Sequence, residues 1–170
     1  MRSPIRLVVC LGVLAGASGL APSAAADDSW LVASAGVFNL AADESEPGDR
    51  RETEVGLEWR GAPRAFGLRP NVGVMVHAES GGYLFAGARR DFDLSERWGL
   101  SLGFAAGAFE EGDGLDLGGT VEFRSSIELF LRLGERSRLG IDFYHLSNAG
   151  IYDSNPGANS LVLVYGHRVD

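Results

Sequence analysis

The sequence predicts an all-β protein, an eight-stranded antiparallel up-and-down β-barrel that crosses a membrane. Three observations point there. Apolar and polar residues alternate with period 2 in eight successive segments, and no convincing 3.6-residue period appears. The segments are separated by clusters of Gly, Asp, Asn and Pro, and many are near the 9–11 residues that a tilted membrane strand needs. The connections also alternate in length.

The strands are expected at 30–40, 51–60, 68–78, 82–91, 97–109, 118–133, 137–148 and 159–168. In the second, Val55, Leu57 and Trp59 alternate with Glu54, Gly56, Glu58 and Arg60. In the fifth, Trp98, Leu100, Leu102 and Phe104 alternate with Gly99, Ser101, Gly103 and Ala105. In the sixth, Val121, Phe123, Ile127, Leu129 and Leu131 alternate with Thr120, Glu122, Arg124, Ser126, Glu128 and Arg132. One phase is apolar throughout, and the other is small or carries charge of both signs.

Two architectures satisfy that alternation. A soluble sandwich or lipocalin-like barrel places the apolar phase inside. An outer-membrane barrel places it against lipid and fills a narrow lumen with small and paired charged side chains. Three features favour the membrane. Eight strands is an even number for one closed sheet. Trp30, Trp59, Trp98, Tyr144 and Tyr165 sit near strand ends, as in interfacial girdles. The links after strands 2, 4 and 6 are short, whereas those after strands 1, 5 and 7 are longer, the pattern of periplasmic turns and outer loops. The short link after strand 3 breaks this trend, and the terminal Arg168-Val169-Asp170 is not the usual final aromatic.

Residues 1–26 read as a secretory signal peptide. Arg2 and Arg6 form a basic n-region, Leu7–Leu20 an apolar h-region, and Ala24-Ala25-Ala26 a small-residue cleavage site. Residues 27–170 then form one barrel domain. The single cysteine, Cys10, falls within the leader, so the exported domain has no disulfide and no thiolate ligand. Without the leader's two arginines, the domain keeps 13 of the chain's 15 basic residues against 23 acidic ones. A net charge of −10 argues against nucleic acid as a partner. All 15 basic residues are Arg, which grips phosphate bidentately, so a phosphorylated ligand stays open. With three dispersed His, a His-based metal site is not expected.

The chemistry concentrates in Tyr144-His-Leu-Ser-Asn-Ala-Gly150, followed by Asn155-Pro-Gly157. On a strand, His145 and Ser147 share a face about 6.6–7 Å apart, a gap that an imidazole can bridge to a hydroxyl. A base beside a serine is the minimum arrangement for covalent acyl transfer. Asn148 and Gly150 are residue types suited to holding an oxyanion. The pair shares the phase of Leu139, Ile141 and Phe143, which a membrane barrel turns toward lipid, and Asn159 shares the corresponding phase of Leu161, Leu163 and Tyr165. Parity admits Ser147 opposite Asn159 across this hairpin. Polar groups on an apolar wall are costly without a use. His77 and His167 read as structural, and Asp153 as a solvated loop residue.

This string, on an outward-running penultimate strand, resembles the lipid A 3-O-deacylases of the PagL type. The motif covers about the last quarter of the exported domain. The resemblance implies a bacterial outer-membrane serine esterase acting on lipopolysaccharide in the outer leaflet, with Ser147 as nucleophile and His145 as general base. It implies the Asn148 side-chain amide and the Gly150 N–H as oxyanion donors, and no cofactor or metal. A third residue on strand 8, Glu in the best-known members, would orient the histidine. Asn159 stands there instead, able to accept from the imidazole but not to neutralise it. A non-catalytic barrel with a structural or adhesive role is the alternative, a soluble periplasmic binding barrel is a third reading, and homodimer formation stays open.

Overall fold

The computed structural model describes residues 29–169 except 44 and 46–48. The expected leader, 1–26, lies outside the described residues. The strands are β1 Ser29–Phe38, β2 Glu52–Arg60, β3 Leu68–His77, β4 Gly82–Asp93, β5 Trp98–Glu110, β6 Val121–Arg132, β7 Ser137–Ser147 and β8 Ala158–Val169. Each pairs antiparallel with its chain neighbours, and β8 closes onto β1. The result is the eight-stranded up-and-down barrel that the alternation predicts. Strand 6 begins later than expected. Gly118 and Gly119 belong to the preceding loop, and Gly118 turns there with φ +90°.

The barrel is inside-out relative to a soluble one. Leu163 is 55% exposed and Ile141 53%, whereas Glu128 and Asp142, on the opposite faces of their sheet, are 0% exposed. The lipocalin-like and sandwich readings are thereby excluded, since a soluble barrel would bury the first pair. A wall of Leu, Val, Ile and Phe facing outward on every side is stable only against hydrocarbon.

Many of the buried charges in the lumen are paired, although Glu122, 0% exposed, has no hydrogen-bond partner for either carboxylate oxygen among the described residues. Arg60 reaches Glu128 at 2.7 Å and Glu58 at 2.9 Å. Arg89 bridges Glu128 at 3.1 Å and Asp142 at 3.2 Å, and Arg124 meets Asp142 at 3.0 Å. Arg138 and Arg69 share Asp91 at 3.2 and 3.3 Å. Toward the long loops the lumen turns apolar and is closed by Phe38, Phe109, Leu117 and Leu146, each at most 4% exposed. Among the described residues, the lumen cavity beside Arg124 and Asp142 measures about 10 Å³, room for about one water. A lipid cannot enter, so any lipid chemistry must occur on the outer wall.

The long connections 39–51, 111–120 and 148–157 gather at one end with the tight 78–81 turn, and 61–67, 94–97 and 133–136 lie at the other with both ends of the described chain. The girdle reading needs correction. Trp59, Trp98 and Tyr165 face outward at the short-turn end and are 41–45% exposed. Trp30 and Tyr144 point into the lumen, where Arg138 lies 4.9 Å from the Trp30 ring and Arg124 4.3 Å from the Tyr144 ring. Their strand phase, not their nearness to a strand end, decides which side they face.

Candidate active site on the outer wall

β7 carries the candidate residues to the long-loop end of the barrel. Its inward face is fixed firmly. The Tyr144 hydroxyl donates to Glu54 across the lumen, and Glu54 in turn lies 3.5 Å from Nε2 of His77. His77 stacks on Phe38 at 4.2 Å, in keeping with its structural reading. Because Tyr144 points inward, His145 must point outward, and Ser147 with it. Both are half-buried at the wall.

The register differs from the pairing that parity admitted. His145, not Ser147, lies opposite Asn159. Parity fixes the face of a strand but not a two-residue slip, and the 148–157 loop sets the actual register. The shift brings Asn159 directly to His145, whose Nδ1 is 2.9 Å from Asn159 Oδ1. The amide oxygen accepts, so Nδ1 carries the proton and Nε2 is left with its lone pair. That is the tautomer a general base requires. The ring also rests on Gly157, where a Cβ would lie 2.9 Å from Cε1 and 3.3 Å from Nε2. The Ser147 hydroxyl, two residues toward the rim, makes no hydrogen bond among the described residues. Contacts of this kind commonly tighten only when substrate is bound.

The two expected oxyanion donors are engaged elsewhere. The Asn148 side chain is fully buried. Its amide donates to Leu117 O at 2.9 Å and Ser154 O at 2.8 Å, and its Oδ1 accepts the Gly150 N–H at 2.9 Å. The Asn148 N–H itself donates to Asn155 Oδ1 at 3.0 Å. Asn148 thus ties the 111–120 and 148–157 loops together. Tyr152 reinforces the tie, since its ring covers Gly119 and its hydroxyl accepts the Val121 N–H at 3.2 Å. Ala149 and Gly150 both adopt left-handed backbone, φ 56° and 78°, turning the chain sharply beside Ser147. Asp153 is exposed and not bonded to His145, and His167 meets Ser137 at 3.4 Å at the far end.

Two residues escaped the sequence reading. Leu117, from the 111–120 loop, plugs the barrel top and offers its carbonyl to Asn148. Ser125 faces His145 from β6, on the side away from Asn159. The sixth strand carries a signal for it: Ser125 interrupts an apolar outward phase between Phe123 and Ile127.

The fold recurs in solved structures. The crystal structure of the outer membrane enzyme PagL superposes with TM-score 0.63 at 18% identity, over 82% of this chain and 99% of that one. A de novo designed transmembrane β-barrel gives 0.61 at 10% identity, over 85% and 98%. Neisserial surface protein A gives 0.59 at 14% identity, over 83% and 97%. These likenesses establish the fold. No curated protein matches the sequence. The family model for lipid A 3-O-deacylase (PagL) matches residues 53–168, a span that covers β2 to β8 apart from the end residues Glu52 and Val169 and includes every candidate site residue. The chain belongs to that family, which together with the outward apolar wall places it in the bacterial outer membrane.

Proposed function

We propose that this chain hydrolyses the 3-O-linked acyl ester of lipid A in the outer leaflet. The observation that carries the reading is the His145–Asn159 hydrogen bond on the lipid-facing wall, with Ser147 on the same face of the strand. Nε2 of His145 takes the Ser147 proton as Oγ attacks the ester carbonyl. The tetrahedral intermediate collapses, the sugar hydroxyl leaves with the proton from His145, and an acyl-serine remains. Water, deprotonated by the same imidazole, then releases the fatty acid and restores the serine. Asn159 holds the ring throughout but cannot offset the imidazolium charge as a carboxylate would. For Gly150 to serve as an oxyanion donor, its bond to Asn148 Oδ1 must open when substrate binds. Losing one such donor typically slows the reaction about 10²–10³-fold. The chemistry calls on no metal or organic cofactor.

Mass spectrometry of lipid A from cells producing the wild-type chain or Ser147→Ala tests this. Loss of one acyl chain with the wild type, and none with the variant, is the expected result. An unchanged acyl count with both would overturn it.

The engaged amides and the neutral Asn159 favour a second reading, a barrel that keeps the motif as scaffold. Covalent labelling of Ser147 by a fluorophosphonate probe, lost in His145→Ala, would exclude that reading.

A further inference from the structure

On the outer wall, register pairs place Phe104, Ser125, His145 and Asn159 in one row across β5 to β8. The row above holds Phe123 opposite Ser147, and the row below holds Ile127, Phe143 and Leu161. Ser125 is therefore a hydroxyl set among apolar side chains that face lipid. It is half-buried and makes no hydrogen bond among the described residues. Phe104 flanks it on the side away from His145 and stacks at 6.0 Å on Phe123 of the row above. A polar side chain on a lipid-facing wall is disfavoured unless something there uses it.

Its place relative to the nucleophile indicates what that is. Ser125 lies diagonally across the ladder from Ser147, a separation of about 7–8 Å, and one row deeper into the membrane. An ester carbonyl at Ser147 leaves the sugar at the rim and sends the acyl chain down the wall past Ser125. The first carbons beyond the carbonyl then come within reach of its hydroxyl. The partner that this chemistry recognises is a hydroxyl substituent on the acyl chain close to the carbonyl.

We infer that Ser125 is a specificity-determining residue that hydrogen-bonds a hydroxyl group on the acyl chain of the ester substrate. The inference rests on the esterase reading of Ser147 and His145. One neutral hydrogen bond of this kind corresponds to a preference of about 3- to 10-fold.

The test uses the full-length protein in detergent micelles with p-nitrophenyl dodecanoate and p-nitrophenyl 3-hydroxydodecanoate. The wild type is expected to favour the hydroxy ester in kcat/KM by that factor. Ser125→Ala should bring the ratio close to one, and Ser125→Thr, which keeps the hydroxyl, should retain the preference. A wild type indifferent to the hydroxyl, or a preference unchanged in Ser125→Ala, overturns the inference and leaves the esterase reading standing. If neither ester is hydrolysed by the wild type, while circular dichroism shows a folded barrel, the esterase reading falls and the inference with it.

Discussion

His145 Nδ1 and Asn159 Oδ1 are 2.9 Å apart across directly opposed positions of β7 and β8. A ladder pair is as rigid a mount as a barrel offers, so the imidazole is aimed by the sheet and not by a loop. Asn159→Ala frees the ring to rotate and should lower kcat on the order of 10²-fold with little change in KM. Asn159→Asp keeps the geometry and adds the charge that steadies the imidazolium, and it should raise kcat above the wild type. Steady-state kinetics on a chromogenic ester would separate the two. Equal rates for all three proteins would show that residue 159 has no part in the chemistry.

Gly157 is the seat of the same ring. Its φ of +69° and the 2.9 Å approach to Cε1 leave no room for a side chain. Gly157→Ala should therefore displace the imidazole and reduce kcat about 10–100-fold. Gly134 provides the control. It too has a positive φ, +124°, but nothing lies within 4 Å of its Cβ position, in a turn at the opposite end. Gly134→Ala should cost about 1–3 kcal/mol of stability through backbone strain and leave kcat unchanged.

Asn148 holds two loops by three side-chain hydrogen bonds, all in buried or half-buried surroundings. Asn148→Ala leaves two loop carbonyls and the Gly150 N–H without partners. Each such loss costs about 1–3 kcal/mol where the group stays dry, and less where the loop opens to water. The variant should show faster hydrogen exchange and proteolysis confined to 111–120 and 148–157, with the strands still protected. Protection unchanged in those loops would count against the tie.

The exposed loop also titrates. Asp116 lies beside Glu111 and, as the largest influence, holds its carboxyl above the ordinary glutamate range. A raised value means that the folded loop favours protonated Glu111. That contribution is full at low pH and is lost as the pH rises through the Glu111 titration. Asp116→Asn should bring the Glu111 midpoint down, as measured by carboxyl NMR. An unmoved midpoint would mean that Asp116 is not the cause.

Glu128 sits at the centre of the lumen charges, bonded to Arg60 and Arg89. Glu128→Ala leaves Arg60 with Glu58 and Arg89 with Asp142 as their remaining partners in a closed interior and should destabilise the barrel by up to about 3–5 kcal/mol. Glu128→Gln keeps the shape and one acceptor and should be milder. Urea unfolding in detergent, followed by the shift in gel mobility, reads both.

The alternation of Val55, Leu57 and Trp59 with Glu54, Glu58 and Arg60 determined by itself that one sheet face is apolar and the other charged. The turn clusters determined to within a few residues where strands end, and His145-x-Ser147 determined that the imidazole and the serine share a face. These are local properties with a period of two residues, and they survive in any register. Sequence alone left open which face met water, because a soluble barrel and a membrane barrel share the pattern. The tertiary structure decided it by burying the charged phase, much of it in ion pairs, and leaving the apolar phase exposed on the outer wall. The His145–Asn159 pairing, the inward turn of Asn148 and the position of Ser125 beside the base were likewise decided only by the tertiary structure. The two pairings depend on how far strands slide past one another, which period-2 parity does not fix, and the turn of Asn148 depends on its loop contacts.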